Sequence, residues 1–241
     1  MRIFLAGATG VVGRRLVPLL RDAHHTVIGT TRVASKAASI ERLGAIPSVV
    51  DVLDAAAIAR ALSDARASIV IHQLTDLSAT PNTPEFAAAL ERNGRLRIEG
   101  TANLMAAAQA SGITRVIAQS VAFLYAPGEG ARTEGDAVQS GGVAVGALAL
   151  ERAVLGTPGI DGIVLRYGYF YGPDTWSAEP RMRPALHVDA AARAALLAVA
   201  HGAPGIYNIA DDDGAVSIEN ARRELGFDPA VTAASSPSRR D

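Results

Sequence analysis

Short runs of consecutive apolar residues alternate along this chain with longer stretches in which alanine and leucine recur at helical spacing. The runs at 2–6, 26–30, 46–50, 68–72, 115–119, 162–166 and 206–209 are rich in β-branched and aliphatic residues, the pattern of strands buried on both faces. The stretches at 11–22, 35–43, 55–63, 85–110, 142–155 and 188–200 predict helices. Regular alternation of the two predicts an α/β fold. Right-handed crossovers then give a doubly wound parallel sheet with helices on both faces. No internal repeat at solenoid spacing interrupts it. After about residue 172 the rhythm changes. The segment 172–184 carries three prolines, Trp176 and mixed charges, and predicts a loop lying over a site. Residues 231–241, rich in Ser, Ala and Arg, predict a frayed, flexible tail.

The first strand runs into Gly7, Gly10 and Gly13, with Thr9, Val11 and Val12 between them, and a helical pattern follows with Leu16, Leu19 and Leu20 on one face. A pyrophosphate needs close backbone approach, open N–H groups and the positive end of a helix. A glycine in such a loop allows the tight turn, another lets the backbone near the phosphates, and the last allows helix to pack on strand. Three turn glycines without a ligand are the plain alternative. Their place after a first strand and at a helix start is the context that a dinucleotide-binding Rossmann unit requires. The second strand ends at Thr30-Thr31-Arg32. No acidic residue stands there to grip a ribose diol, whereas a guanidinium pairs with a 2′-phosphate through two hydrogen bonds. NADP(H) is therefore expected over NAD(H), against the simpler view of Arg32 as a solvated loop arginine.

Composition narrows the function classes. A net charge of −1 without a basic cluster argues against nucleic acid as a partner. The absence of cysteine removes disulfides, thiolate metal sites and cysteine nucleophiles, and no spacing suggests a metal site. The first residues open directly into a strand pattern, and the apolar runs are too short to span a bilayer. A soluble cytoplasmic protein with no membrane partner is the expectation. The chain has one lysine, Lys36.

With the glycine loop, several later segments resemble the extended short-chain dehydrogenase/reductase superfamily, in particular its NAD-dependent epimerase/dehydratase group. The resemblance runs from Met1 to about Pro229. Asp51-Val52 is similar to the pair that contacts adenine, and Ile71-His72-Gln73-Leu74 to the segment passing the cofactor's ribose. Glu99 through Leu104 resembles the long central helix, and 115–125 the fifth strand with its serine-bearing turn. Arg166 through Pro173 resembles the segment against the nicotinamide, His187-Val188-Asp189 a late helix start, and Glu224 through Phe227 a C-terminal helix end. The resemblance implies cofactor contacts at Asp51, Val52, Gln73, Leu74 and Tyr167. It also implies a homodimer paired through the helices over 85–110 and 142–155.

The resemblance also locates what is missing. Relatives use a Tyr-x-x-x-Lys pair, in which the lysine lowers the tyrosine pKa for proton transfer and binds the nicotinamide ribose. Counting from Glu151, the pair falls on Val143 and Ala147, and no Tyr-x-x-x-Lys occurs anywhere in the chain. The family's hydroxyl position falls on Val121, with Ser120 one residue before; Ser120 is kept as a catalytic candidate. Tyr167, Tyr169 and Tyr171 alternate along one segment. Either they fill volume left by a reduced substrate region, or Tyr169 supplies a hydroxyl above the nicotinamide. His187 and Asp189 read as a helix cap with a packed imidazole. Asp174, Trp176 and Arg181 sit where a substrate pocket could form. Only 13 residues, 174–186, separate Pro173 from His187, where relatives insert much of their substrate region.

These expectations divide the chain into a dinucleotide-binding unit over 1–171 and an abbreviated substrate-binding region over 172–230 that returns one helix and one strand to the core. They point to an oxidoreductase or related enzyme on a small substrate with a non-standard catalytic set. The alternative is a catalytically silent NADP(H)-sensing protein.

Overall fold

Strands that are apolar at every position must be covered from both sides, and the chain builds that arrangement. The structure, a computed structural model, describes residues 1–77 and 83–231. Seven strands form the central sheet: β1 (Arg2–Ala6), β2 (Thr26–Thr31), β3 (Ile46–Val49), β4 (Ile69–His72), β5 (Arg115–Val121), β6 (Asp161–Tyr167) and β9 (Gly205–Ile209). Their order is β3-β2-β1-β4-β5-β6-β9, and every neighbouring pair is parallel. The order reverses between β1 and β4, so the crevice at their C-terminal ends is the place where such sheets bind ligands.

Alternation within a strand feeds two cores. In β1, Ile3 and Leu5 point into one layer and Phe4 and Ala6 into the other. The first layer is covered by α1 (Gly13–Asp22) and α7 (Val188–Ala200), the second by α3 (Ala55–Ala65), α5 (Thr101–Ala110) and α6 (Val143–Gly156). Leu16, Leu20, Ile58, Leu62 and Leu104 are buried, each contributing about 1.5–3 kcal/mol through removal from water. Helix α7 works differently. Ala190, Ala191, Ala194, Ala195 and Ala198 are all buried, and side chains this small let the helix lie close on the sheet.

The expected strands and helices form, with three local differences. The helix expected over 85–110 is α4 (Pro84–Arg95) and α5 joined by a π-helical turn, Leu96–Gly100; periodicity cannot reveal one extra residue per turn. The stretch 35–43 begins as a 3-10 turn, Ala34–Lys36, before α2 (Ala37–Arg42). Two strands too short to show alternation, β7 (Tyr169–Tyr171) and β8 (Ala185–His187), pair in parallel outside the main sheet. The last helix is α8 (Glu219–Leu225). From residue 232 onward the expected tail lies outside the described residues. Among the described residues no helix is long and apolar enough to cross a membrane.

Candidate functional site

The glycine loop closes at the C-terminal end of β1. Gly7 has φ +95°, its N–H donates to Thr30 Oγ1 at 3.1 Å, and its carbonyl accepts from Gly10 N at 3.1 Å. A Cβ on Gly7 would lie 2.8 Å from the Gln73 carbonyl oxygen, and one on Gly13 would lie 2.1 Å from the Gly7 carbonyl oxygen. Only glycine lets β1, β4 and α1 converge this tightly. Helix α1 starts without a side-chain cap and without an acid in its first turn, leaving its positive end for an anion. Thr9 and Val11 are half-buried and Gly10 is exposed at the loop's crest, whereas Val12 is buried in the core. Val12 can therefore serve a ligand only through its backbone.

The residues expected on the adenosine side lie at and just beyond the ends of β2 and β3. Thr31 forms a local turn in which its Oγ1 accepts from Val33 N at 3.2 Å. Arg32 extends past it, about half exposed, and donates to Asp76 Oδ2 at 3.2 Å. Asp51 is exposed and accepts from Leu53 N at 3.0 Å. Val52 is buried against Gly100, and its carbonyl accepts from Asn103 Nδ2 at 3.0 Å.

At the end of β4, His72 is buried. Its Nδ1 accepts from Leu74 N at 3.2 Å, so Nε2 carries the ring proton and donates to Thr101 Oγ1 at 3.0 Å. Burial, reinforced by the charge of Arg97, lowers its pKa to about 4. Gln73 donates to the Tyr167 hydroxyl at 3.4 Å, yet its Oε1 is buried without a hydrogen-bond partner. Arg97, on the π-helical turn, is likewise buried with an unpartnered Nη1. Burial draws its pKa down to about 10, and Glu151 opposes the shift. Buried polar atoms left unpaired in this way are uncommon and mark places where a ligand or water completes the bonding. Together with the glycine cradle and the open helix end, these atoms fit a dinucleotide.

The two catalytic candidates have different surroundings. Ser120 lies within the packing of the sheet. It is fully buried, and its hydroxyl donates to Glu151 Oε1 at 2.6 Å. Glu151 also holds Arg166 through two bonds, of 2.9 and 2.7 Å, and Arg166 Nη1 donates to the Tyr125 hydroxyl at 2.9 Å. The strand register that sets Ser120 beside Arg166 turns the serine into part of this buried network. Tyr169, half-buried, stacks on Phe123 with centroids 4.0 Å apart and planes at 9°. Burial raises its pKa, so it stands as a neutral phenol.

The three tyrosines do not line one pocket. Gly168 ends β6 and lets the chain enter β7, so each ring has its own surroundings. Tyr167 is buried, with its hydroxyl on the Ala191 carbonyl at 3.2 Å. Tyr171 packs edge-on against His187, and burial together with a hydrogen bond to Asp211 pushes its pKa up to about 12.

Where the Tyr-x-x-x-Lys pair would stand, Val143 is exposed and Ala147 is buried with Val121, Leu124 and Ala144. His187 caps α7, accepting from Asp189 N at 3.2 Å. Asp189 accepts from Arg15 Nε at 2.8 Å, and Arg15 also donates to the Pro173 carbonyl at 2.6 Å and to Asp174 at 3.2 Å. Trp176 rests edge-on against Phe86 of α4, centroids 5.5 Å apart. Arg181 and Arg183 help to line a groove of about 370 Å³ beside Asp211 and Asp213. Among the described residues no group of side chains could hold a metal ion. Asp76, Arg92, Arg97 and Phe123 were not apparent as site residues in the sequence. Two of them, Arg92 and Arg97, lie on a stretch that reads as one continuous amphipathic helix, and none belongs to a spacing motif.

Comparison with known proteins agrees with this crevice. A family profile described as NAD(P)H-binding matches residues 7–182. A 3-diazoavenalumate denitrifying reductase of Streptomyces sp is 37% identical, over 96% of this chain and 84% of that protein. Among solved structures, UDP-glucose 4-epimerase of Thermotoga maritima superposes with a TM-score of 0.81 at 18% identity, covering 96% of this chain and 94% of the other. UDP-glucuronic acid 4-epimerase of Bacillus cereus, solved with NAD, superposes with a TM-score of 0.74 at 18% identity, covering 96% and 94%. At such identities the structures speak to the fold.

Proposed function

The chain belongs to the NAD(P)H-binding family, with the fold of the epimerase/dehydratase group, and from that premise we propose that it is an NADP(H)-dependent reductase of a small substrate that needs no proton relay. The observation that carries this is that the positions expected for the Tyr–Lys pair hold an exposed Val143 and an Ala147 buried among Val121, Leu124 and Ala144, in a chain with an intact dinucleotide cradle. A carbonyl reductase must protonate the oxygen it creates, which the usual Tyr–Lys pair does. A carbon that loses a neutral leaving group as it gains hydride has no such requirement.

Gly7, Thr9, Gly10, Val11, Val12 and Gly13 would hold the pyrophosphate, Thr31 and Arg32 the adenosine side, and Asp51 and Val52 the adenine. Gln73, Leu74 and Tyr167 would flank the ribose towards the nicotinamide. When bound, the reduced cofactor supplies a hydride, which at an aryl diazonium carbon replaces dinitrogen. The similarity to a denitrifying reductase of a diazo acid supports that substrate class. Phe123 and Tyr169 offer a flat aromatic wall, and a planar ring stacks on such a wall favourably. Tyr169 is the group assigned to touch substrate, donating a hydrogen bond as a neutral phenol. Arg181 lines the nearby groove and suits a carboxylate, whereas Arg183 there faces Asp213 at 3.7 Å. The division into a cofactor unit over 1–171 and a short substrate region over 172–230, a cytoplasmic location and a homodimer belong to the same proposal.

The test is to incubate the purified chain with NADPH and an aryl diazonium carboxylate while following cofactor oxidation and dinitrogen release. One dinitrogen per NADPH is expected, with no turnover of aldehydes or ketones. Tyr169→Phe should slow turnover roughly tenfold, the worth of one hydrogen bond in the transition state. Carbonyl reduction without dinitrogen release would overturn the proposal. A silent NADP(H) sensor is the second reading, favoured by the same missing pair and the short 172–184 loop. It is distinguished by tight NADPH binding with no oxidation of either substrate class.

A further inference from the structure

Asp76 lies just beyond β4 and is 7% exposed, yet its Oδ2 accepts from two guanidiniums. Arg32 Nη2 reaches it at 3.2 Å from the end of β2, and Arg92 Nε at 3.0 Å from α4. The Asp76 N–H donates to Asn93 Oδ1 at 3.0 Å, which pins the carboxylate to α4. Burial works to raise the Asp76 pKa, but the hydrogen bonds from Arg92 and Arg32 outweigh it and hold the carboxyl below its usual range. Two cations on one anion leave the cluster with an excess positive charge. The two arginine side chains are 55% and 54% exposed. Each spends one nitrogen on Asp76 and turns much of its planar fork outward.

An acid that gripped a ribose diol would present accessible oxygens. The Asp76 carboxylate is buried and bonded to cations, so it serves the arginines instead. We propose that Arg92 joins Arg32 in a two-guanidinium clamp for the adenosine 2′-phosphate of NADP(H), with Asp76 as the positioning residue that holds both forks together. A phosphate dianion offers three acceptor oxygens and suits two planar forks better than one. The inference rests on the NADP(H) preference proposed above and extends it to a residue on a different element, 60 positions along the chain from Arg32.

Calorimetric titration of the full chain with NADPH and with NADH, at one fixed salt concentration, tests it. The wild type should bind NADPH more tightly. Arg92→Gln and Arg32→Gln should each raise the NADPH Kd about tenfold or more while the NADH Kd moves less than about threefold. Both side chains are half exposed, so the variants should fold, and unchanged NADH binding reports that they have. Asp76→Asn should lower the NADPH preference although it removes a negative charge; simple charge removal predicts the opposite direction. If Arg92→Gln keeps the wild-type preference while Arg32→Gln loses it, the clamp is overturned and the NADP(H) reading stands. A preference that rises in Asp76→Asn overturns the positioning role. A wild type that binds NADH as tightly as NADPH overturns the NADP(H) reading itself, and the clamp with it.

Discussion

His72 shows how one buried side chain ties stability to pH. It is neutral in the fold, with Nδ1 and Nε2 both bonded, and burial lowers its pKa to about 4 from 6.5. The unfolded chain therefore binds a proton that the folded chain refuses between those two values. The stabilisation is full above about pH 6.5 and is lost as pH falls towards 4, by an order of 3 kcal/mol. Urea unfolding at pH 7 and pH 4.5 should show a steeper loss for the wild type than for His72→Gln; parallel losses would refute the assignment. Ser120 teaches a different lesson at the same scale. Its position beside the family's hydroxyl site could be read from the sequence, but its direction could not. Strand pairing with Arg166 decides that it serves Glu151. Arg97 is the converse case: a charged residue in a helical stretch reads as solvated, and only the π-helical turn buries it.

Among the elements, the segment 172–184 depends most on one side chain. Arg15, on the first turns of α1, bonds the Pro173 carbonyl, Asp174 and Asp189, so the helix that starts at the glycine loop also anchors this segment. Arg15 and Asp189 are both largely buried, so this bond is not the weak exposed kind. Arg15→Gln should speed amide hydrogen exchange across 172–177 severalfold and leave β1, β4 and β5 unchanged. Equal protection in the variant would show that the prolines and the Trp176–Phe86 contact suffice. The major strands and helices were legible because the central strands β1 and β4 are almost continuously apolar and helices such as α1 and α3 bury a single face. Strands β7 and β8 were not, since three residues give no period to detect.

For the whole molecule, the proposed homodimer puts α4, α5 and α6 at an interface. Leu90, Ile98 and Val145 are exposed on α4, the π-helical turn and α6, where a second copy would cover them. Val145→Glu should convert a dimer into a monomer in light scattering at micromolar concentration without lowering the melting temperature of the monomer; a wild type that is already monomeric removes the dimer. The sequence by itself determined the layered α/β plan, the glycine cradle and the lack of a Tyr-x-x-x-Lys pair, because apolar period, glycine spacing and residue identity are local properties. Tertiary structure alone decided which side chains share a charge or a cavity. Asp76 meets Arg32 and Arg92, and Phe123 meets Tyr169, across 44, 16 and 46 positions of chain. Contacts at such separations are fixed by strand order and helix docking, which no local pattern encodes.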